Sequence, residues 1–468
     1  MNGSILLRPA HEIVTAVTAR RVSAREVARA AIARIEATNG RLGAFTDFTF
    51  ARALTEADAV DAAIAGGATP PLAGVPYAVK NLFDIDGVVT RAGSLINRDN
   101  PPATADAFLI RKMRAAGAVL LGALNMGEYA YDFTGENAHD GNSRNPHDPG
   151  RMSGGSSGGS GTAVAAGMVA AALGSDTNGS IRVPASFCGL FGLKPTFGRL
   201  SRAGTFPFCA SLDHLGPLAR SAMDLAIIFD ALQGEDADDP AQAYRPTVAA
   251  PGEIDRGIGG LRIAVAGGYF RERGEPEAFA AVDKVAAALG ATRTIELPEA
   301  ACAHAAAYLI THAESAALHL ERIRTRAADF DPDVRDRLIA GTMVPAAWLV
   351  QAHRFRSWFR DAMRKLFAEV DIILAPATPF PALPSGTRSV TLGGVTMPAR
   401  ANIGIFTQPI SFAGLPVVAV PVWLDGAALP IGVQVIAPAW REDLALRVAR
   451  HLEIAGAVAA PVAKGLAA

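Results

Sequence analysis

Short apolar segments alternate with longer helical segments from about residue 71 to the end of the chain. One apolar segment ends at Lys80, a helical pattern occupies residues 103–117, and another apolar segment follows at residues 118–125. This alternation is typical of layered structures in which helices cover a sheet. The sequence therefore predicts an α/β fold with one large, mostly buried sheet flanked by helices.

The ends of the chain supply further predicted elements. Residues 11–38 have the pattern of two helices, and Ser23 with Glu26 has the spacing of a capping box that opens the second one. Asn39-Gly40 predicts where that helix ends. A Gly/Ser tract at residues 150–163 is followed by an apolar stretch, residues 162–173, which we interpret as a helix. Strands are predicted at residues 261–267, 371–378, 415–422 and 431–437, and a closing helix at residues 441–456.

The chain length of 468 residues is compatible with two or three domains, but only one segment has the composition of a linker. That segment, residues 234–260, is rich in Asp, Pro and Gly. Because strand-like sequence resumes at Leu261, we interpret it as a surface excursion. We therefore predict a single domain over residues 1–468.

The bulk composition argues against several classes of protein. The formal net charge of −1 gives no electrostatic reason to expect nucleic acid or an anionic membrane as a partner. The N-terminus has no signal-peptide pattern, and no segment approaches the ~18 apolar residues of a membrane span. The scattered cysteines Cys188, Cys209 and Cys302 form no CxxC pair, so we expect them to stay reduced. These features favour a cytoplasmic enzyme.

Three segments carry residues suited to nucleophilic catalysis. Lys80 ends an apolar segment, residues 153–161 read SGGSSGGSG, and residues 174–196 read GSDTNGSIRVPASFCGLFGLKPT. Alone, such a lysine is usually a solvated charge, and a Gly/Ser run is usually a flexible loop. Together they indicate chemistry, because a serine hydroxyl becomes a nucleophile only when a base removes its proton. A buried, neutral lysine is such a base.

The glycines around the serines determine which backbone conformations are possible there. They allow close approach and positive φ angles that other residues resist. The backbone N–H groups of one turn can then converge on a developing oxyanion, and each such donor contributes about 3–4 kcal/mol in other hydrolases. The predicted oxyanion hole consists of Thr177, Asn178, Gly179 and Ser180.

The combination of Lys80, GGSSGGS and DTNGSIRVPASFCGLFGLKPT resembles the signature of the amidase-signature family. Residues 211–221, 409–422 and 429–449 agree as well, so the resemblance covers nearly the whole chain. It implies a single domain with a mixed, many-stranded sheet covered by helices. It also implies an amide hydrolase that requires no metal and no organic cofactor.

Carried over residue by residue, the family's Ser-Ser-Lys triad falls on three positions. The resemblance implies that Ser180 is the nucleophile, Ser156 the bridging serine and Lys80 the terminal base. The chain departs from the family at the oxyanion turn, where most members have Gly-Gly-Ser and this chain has Asn178-Gly179-Ser180. Asparagine tolerates unusual backbone angles. Whether its side chain reaches a substrate stays open at this point.

Within the family, residues 173–186 and 197–221 are most similar to members that release ammonia from a small, carboxylated urea-like amide. Such members work with a small accessory subunit. The resemblance therefore implies, as a partner, a short helical chain resembling the C subunit of glutamyl-tRNA(Gln) amidotransferase; homo-oligomer formation is left open. The similarity is close over about residues 70–225, the signature core. It is thinner over about residues 240–400, where members of the family build specificity; within that stretch, about residues 270–370 form the divergent region.

A carboxylated substrate requires a cation in its pocket. Arg182, two residues after the proposed nucleophile, is the first candidate, and the divergent region adds Arg322, Arg324, Arg335 and Arg337. Tyr131 and Asp132 precede a stretch that lies beside the acyl pocket in related enzymes, so both are predicted to contact the substrate. An acid at position 132 is unfavourable for an anionic substrate. Asp213 is predicted to be a buried hydrogen-bonding acid that holds the active loops.

Two alternatives stay inside the family: a general aliphatic or aryl amidase, and the glutamine-hydrolysing A subunit of the tRNA-dependent amidotransferase. Members of the second kind usually carry an acid just before the PxxxAGLP segment, and residues 399–416 contain none. A nucleotide-binding protein is disfavoured because the Gly/Ser tract lacks a G-K-[ST] ending. A metal-dependent hydrolase is disfavoured because no HExxH is present. A catalytically inactive scaffold is disfavoured by the retained Lys80, Ser156 and Ser180.

Overall fold

The computed structural model describes residues 2–466, with side chains from residue 5 onward. Its strands are β1 Phe45–Phe48, β2 Pro76–Lys80, β3 Val119–Leu124, β4 Ala171–Ser175, β5 Phe191–Lys194, β6 Leu215–Ala219, β7 Ile263–Ala266, β8 Arg293–Ile295, β9 Ile372–Pro376, β10 Ser389–Leu392, β11 Val395–Pro398, β12 Val417–Val422 and β13 Ile431–Ile436.

The α-helices are α1 Ala10–Thr18, α2 Ala24–Leu42, α3 Phe50–Ala65, α4 Phe108–Ala115, α5 Gly158–Ala165, α6 Arg182–Cys188, α7 Ala222–Leu232, α8 Ala250–Glu253, α9 Tyr269–Glu272, α10 Pro276–Ala288, α11 Ala300–Arg326, α12 Pro332–Gly341, α13 Ala346–Leu366, α14 Ala399–Asn402, α15 Gln408–Ala413 and α16 Glu442–Ile454. Short 3₁₀ helices occupy Asn2–Leu7, Ile96–Asp99, Glu128–Ala130 and Ala327–Asp329.

Eleven strands form one sheet in the order β1-β3-β2-β4-β6-β5-β12-β13-β9-β7-β8, and β10 pairs with β11 in a separate hairpin. The large sheet is mixed. Strand β2 runs parallel to both β3 and β4, whereas β4–β6 and β12–β13 are antiparallel pairs. Its central strands are buried at every position, with helices packed on the sheet. The predicted fold class, a large mixed sheet flanked by helices, is confirmed.

Most predicted elements fall where the sequence placed them, but three boundaries were wrong. The helix predicted at residues 103–117 is shorter, because α4 spans only Phe108–Ala115. Residues 162–173 are not one helix, because α5 ends at Ala165 and residues 171–173 belong to strand β4. A short, continuously apolar run has no periodicity that separates a buried helix from a buried strand. Helix α2 continues past Asn39-Gly40 to Leu42, and it ends at Gly43 with φ +62°. The left-handed conformation that stops the helix is therefore at Gly43.

The capping box predicted at Ser23 is present. The Ser23 side chain accepts from the Glu26 amide at 3.0 Å, and the Glu26 carboxylate accepts from the Ser23 amide at 2.9 Å. The two bonds satisfy donors that the first turn of a helix leaves free.

Residues 234–260 contain only the short helix α8 but are anchored to the fold. Ser201 Oγ donates to the buried Asp236 at 2.5 Å, and Arg202 pairs with Asp239. Within the described residues, no helix combines the length and the apolar character that crossing a membrane requires.

Three neighbouring strands bring the predicted catalytic segments to one edge of the sheet. Strands β2 and β4 are parallel, with Val79 opposite Leu173, so their carboxyl ends at Lys80 and Ser175 lie side by side. Strand β6 is antiparallel to β4, and its first residue, Leu215, lies opposite Ser175. The segment that precedes β6 therefore reaches the same edge. Ligands of open α/β sheets bind outside such carboxyl ends.

Candidate active site

Lys80 lies at the end of β2, and its side chain is completely buried. Its Nζ donates to the hydroxyl of Ser156 at 2.6 Å and to that of Ser175 at 2.8 Å. The structure thus joins two of the three residues predicted for the triad. Ser175 was not predicted, although it is the last residue of the strand parallel to β2.

Burial changes the acid–base chemistry of Lys80. Removal from water disfavours the ammonium and lowers the pKa of Lys80 to about 7, against the opposing effect of the nearby carboxylates of Asp213, Asp176 and Asp132. A lysine with this pKa is half unprotonated near neutral pH. It can therefore accept a proton from a hydroxyl.

Ser156 belongs to the loop before α5, and the packing of that loop requires glycine. A Cβ on Gly155 would lie 2.3 Å from Asp132 Oδ2 and 2.9 Å from the Gly135 amide nitrogen. The glycine before the serine therefore lets two backbone segments approach each other closely. Ser156 itself is fully buried.

Ser180 ends the turn that connects β4 to α6, and it lines a cavity together with Thr177 and Asn178. No hydrogen bond within residues 2–466 joins its hydroxyl to Ser156. The turn depends on Gly179, whose φ is +145° and whose Cβ would lie 2.3 Å from Thr407 Oγ1. Only glycine adopts that conformation in so confined a space.

The backbone N–H groups of Thr177, Asn178, Gly179 and Ser180 have no hydrogen-bond acceptor in the described part of the chain. The amide of Asp176 donates to His214 O at 2.8 Å, and the amide of Ile181 donates to Asp176 Oδ2 at 3.2 Å. The run of free donors therefore begins and ends with the predicted oxyanion turn. Buried amides are normally paired, so such a run beside a cavity is a set of donors available to a ligand.

Asp213 holds this turn against a second loop. One carboxylate oxygen accepts from Thr177 Oγ1 at 2.6 Å, and the other accepts from the amides of Phe208 and Cys209 at 2.8 and 3.0 Å. Burial raises the pKa of Asp213, and these hydrogen bonds oppose the rise. The arrangement matches the buried, loop-holding acid predicted from the sequence.

Arg182 is turned into the protein and is fully buried. Its guanidinium donates twice to Asp176 and once each to Thr407 O, Gln434 Oε1 and Ser411 Oγ, at distances from 2.5 to 3.0 Å. These bonds use all five donors of a guanidinium. Arg182 is also not among the residues that line the cavity, so the geometry gives no support to its predicted contact with a substrate.

The cavity has room for a water-sized molecule over about 20 Å³, within a total of about 340 Å³ that includes its open mouth. It is lined by Ala130, Tyr131, Asp132, Phe133, Thr177, Asn178, Ser180, Phe208, Tyr308, Thr311, Arg337 and Gln408. The signature core supplies eight of these residues, and helices α11 and α12 of the divergent region supply Tyr308, Thr311 and Arg337.

Tyr131 and Asp132, both predicted to contact the substrate, line this cavity. The Tyr131 hydroxyl is buried without a partner among the described residues. The Asp132 carboxylate accepts from the Thr134 amide, the Thr134 hydroxyl and the Gly135 amide, and it pairs with Arg400 at 2.9 Å. Because Arg400 compensates its charge, Asp132 is less unfavourable for an anionic substrate than the sequence suggested.

Arg337, one of the four arginines considered in the divergent region, reaches the cavity. Its guanidinium lies over the Tyr131 ring, 4.0 Å from the centroid, and it donates to Tyr131 O and to Asp333 O. Its Nη1 has no acceptor within the described residues and stays available to an anion.

Asn178 turns its side chain towards α11. Its Nδ2 donates to Thr311 Oγ1 at 2.9 Å, while its Oδ1 is buried without a hydrogen-bond partner among residues 2–466. Thr311 and Tyr308 were not predicted from the sequence. Their spacing places them on one face of a helix, but nothing in the sequence indicates that this face meets the turn.

Among the described residues, no group of three or more His, Cys, Asp or Glu side chains is placed to hold a metal ion. The described residues bring together a buried lysine hydrogen-bonded to a serine, a cavity-lining serine beside unpaired amides, and Arg337 on the far wall of the cavity, which α11 and α12 form.

Comparison with known proteins agrees with this geometry. The family model described as Amidase matches residues 26–446. The chain belongs to the amidase-signature family. It is therefore a hydrolase that acts on the carbon–nitrogen bonds of amides, and its substrate is a small molecule.

The chain is 54% identical to AtzE, a 1-carboxybiuret hydrolase subunit of Pseudomonas sp. strain ADP, over 450 residues, which are 95% of this chain and 98% of that protein. It is 37% identical to the A subunit of the glutamyl-tRNA(Gln) amidotransferase of Chromohalobacter salexigens, over 94% of this chain and 95% of that one.

A solved structure described as a vestigial protein complex, which concerns the origins of an s-triazine catabolic enzyme, superposes with a TM-score of 0.96 at 53% identity. The match covers 97% of this chain and 99% of that chain. A bacterial aryl acylamidase of the amidase-signature family superposes with a TM-score of 0.88 at 25% identity, over 96% of both chains.

Proposed function

We propose that this enzyme hydrolyses the terminal amide of 1-carboxybiuret, a small carboxylated urea-like molecule, and releases ammonia through an acyl-enzyme on Ser180. The buried contact between Lys80 and Ser156, with the pKa of Lys80 at about 7, is the observation that carries the chemistry. The similarity to a 1-carboxybiuret hydrolase and the presence of Arg337 in the cavity support the choice of substrate.

The reaction begins when Ser180 Oγ attacks the amide carbon. Its proton passes to Ser156, and the proton of Ser156 passes to the unprotonated Lys80. When the tetrahedral intermediate collapses, the proton returns through Ser156 to the leaving nitrogen, which departs as ammonia. Water then attacks the ester on Ser180 by the same relay, and the product carries a second carboxylate.

The oxyanion of both tetrahedral intermediates binds to the turn of residues 177–180. The support for this role is that the four N–H groups of the turn have no acceptor within the described residues. Asp213 and Thr407 fix the turn from two sides, through Thr177 Oγ1 and Asn178 O at 2.6 Å each. Donors that are held in place before the reaction need no reorganisation when the charge develops.

Arg337 binds the carboxylate at the end of the substrate opposite the scissile amide. Its free Nη1 and its position over Tyr131 support this assignment. Arginine suits the task because its planar donors match carboxylate geometry.

Hydrolysis of glutamine is the less favoured function. Glutamine carries an ammonium as well as a carboxylate, so its site requires a free acid. Asp132 is the one acid among the lining residues, and it is already paired with Arg400.

We also propose that this chain associates with a small helical partner resembling the amidotransferase C subunit. The support is that one relative is named as part of a multi-chain enzyme and that the similar solved structure is described as a complex. Size-exclusion chromatography with light scattering on protein purified from its native host tests this proposal. A stoichiometric small chain in the peak is the expected result, and a single-component peak would contradict it.

The substrate assignment is tested by measuring kcat/KM for ammonia release from a panel of amides, with and without any co-purifying small chain. The panel contains 1-carboxybiuret, biuret, allophanate, malonamate, glutamine and a simple aliphatic amide. We expect 1-carboxybiuret to have the highest kcat/KM. A higher value for glutamine or for the simple amide would leave the mechanism intact and overturn the substrate assignment.

A further inference from the structure

Asn178 occupies a position with an unusual hydrogen-bond balance. The residue is 6% exposed and lines the cavity beside Ser180. Thr311 accepts from its Nδ2, but its Oδ1 has no partner among the described residues. A buried amide oxygen without a donor is costly, because it has lost its hydrogen bonds to water.

We propose that Asn178 Oδ1 is a recognition site for a substrate N–H group next to the scissile carbonyl. This inference rests on the proposed function and names the part of a urea-like substrate that distinguishes it from an ordinary amide. In a urea-like chain, nitrogen lies on both sides of an amide carbonyl; in glutamine or an aliphatic amide, a CH₂ group takes the place of the nitrogen that does not leave. A CH₂ in that place would leave the acceptor unpaired and would be rejected.

The location of Asn178 supports this role. It lies within the turn whose amides face the oxyanion, two residues before the nucleophile, so its side chain starts close to the reacting carbonyl. Gly179 and Ser180 are the residues that most members of the family have at these positions of the turn. Position 178 has a negative φ, so it does not require glycine. An asparagine at this position therefore adds an acceptor without disturbing the turn.

Thr311 is the positioning residue for this acceptor. Its hydroxyl on helix α11 accepts from Nδ2, and in this arrangement Oδ1 is the end left for the ligand. An amide group that is fixed on one side loses little freedom on binding, and this increases its selectivity.

The test uses two uncharged ligands that differ at a single position. Biuret and malonamide carry the same two terminal amides, but the central group is N–H in biuret and CH₂ in malonamide. Their inhibition constants against 1-carboxybiuret turnover, or their dissociation constants by calorimetry, give a selectivity ratio for each variant. The two ligands also differ in their own flexibility, so the informative quantity is the change of the ratio between variants.

Five variants of the full-length protein separate the possibilities. Asn178→Ala and Asn178→Gly remove the acceptor, and the glycine restores the turn that most members of the family have. Asn178→Asp keeps an acceptor at the same place. Thr311→Val removes the tether while preserving its shape. Thr311→Ser, which retains the hydroxyl, is its conservative control.

We expect the preference for biuret to fall about tenfold in Asn178→Ala and Asn178→Gly, which is the loss of one hydrogen bond to a buried group. Asn178→Asp and Thr311→Ser should keep it, and Thr311→Val should lower it with less effect on kcat than on KM. An unchanged ratio in the alanine and glycine variants, or a lost ratio in Asn178→Asp, would overturn the proposal.

Failure of this inference and failure of the proposed function give different results. If the wild-type protein prefers glutamine over 1-carboxybiuret, the proposed function fails whatever the ratio shows. If 1-carboxybiuret is the best substrate and the ratio does not respond to Asn178, only the recognition site fails.

Discussion

The signature core and the divergent region contribute to the same cavity in different ways. In the core, the two charged residues that hold the oxyanion turn and the loops beside it are saturated by the protein: Arg182 uses all five of its donors and Asp213 accepts three hydrogen bonds. The divergent region approaches the site through a few side chains on α11 and α12. Two of them, Thr311 and Arg337, make one hydrogen bond each to the core and keep hydrogen-bonding capacity for a ligand.

This difference predicts that the residues that set the rate are not those of α11 and α12 that set substrate selectivity. In the proposed mechanism, Lys80, Ser156 and Ser180 perform the same proton transfers on any amide that reaches Ser180. The side chains of α11 and α12 that line the cavity take no part in those transfers, so they can be substituted without removing the proposed base or nucleophile. Substitutions of Lys80, Ser156 or Ser180 should therefore lower the rate for all substrates, whereas substitutions of the cavity residues on α11 and α12, and of Asn178 in the core, should change which substrate is preferred.

The largest effect is expected from Lys80→Met, which keeps the length of the side chain and removes the base. We expect kcat to fall by about 10³- to 10⁴-fold for every amide tested, as for other lost members of catalytic triads. Steady-state ammonia release measures it. Lys194→Met is the matched control, because Lys194 is also fully buried but donates to Leu415 O and Pro195 O. An equal loss of kcat in Lys194→Met would contradict the assignment of Lys80 as the base.

A smaller and selective effect is expected from Arg337→Gln. Loss of a hydrogen bond to a charged group should lower kcat/KM for carboxylated substrates by about 10- to 100-fold and leave uncharged amides nearly unaffected. The kcat/KM ratio of 1-carboxybiuret to biuret measures this effect. Arg335→Gln, on the same helix, is the control, because Arg335 pairs with Asp336 at the surface. A parallel fall for both substrates would contradict the separation of rate and selectivity.

The pH dependence should show the smallest change. The base must be unprotonated, so kcat/KM should decline below pH 7, about tenfold per pH unit, as Lys80 acquires its proton. The Asp213 charge raises the pKa of Lys80, so Asp213→Asn should move this decline to lower pH. Asp371→Asn, which alters a surface pair with Arg262, should not move it. A shift to higher pH in Asp213→Asn would show that Asp213 does not act on Lys80 through its charge.

The fold was largely predictable because alternating apolar and helical segments specify a layered sheet wherever the strands are well separated. The prediction failed at residues 162–173, where a helix and a strand share one uninterrupted apolar run. The contact between Lys80 and Ser156 could be anticipated, although 76 positions separate them, because both residues belong to the family signature that the sequence resembles.

The far wall of the site was less predictable. Arg182 was favoured because it lies two residues after Ser180, but the first turn of α6 directs it inward to Asp176. Thr311 meets Asn178 across 133 positions of sequence, through the packing of a helix in the region with the weakest pattern. Sequence spacing specifies contacts within an element, whereas contacts of this kind depend on how elements pack.

The most direct test of the central claim is ammonia release from 1-carboxybiuret by the wild-type enzyme, Ser180→Ala and Ser160→Ala. Ser160 is a buried serine of the same fold, whose hydroxyl donates to Leu173 O. We predict that Ser180→Ala loses at least about 10³-fold in kcat while Ser160→Ala stays near the wild-type rate. Turnover that survives in Ser180→Ala at the wild-type level would contradict the role of Ser180 as the nucleophile.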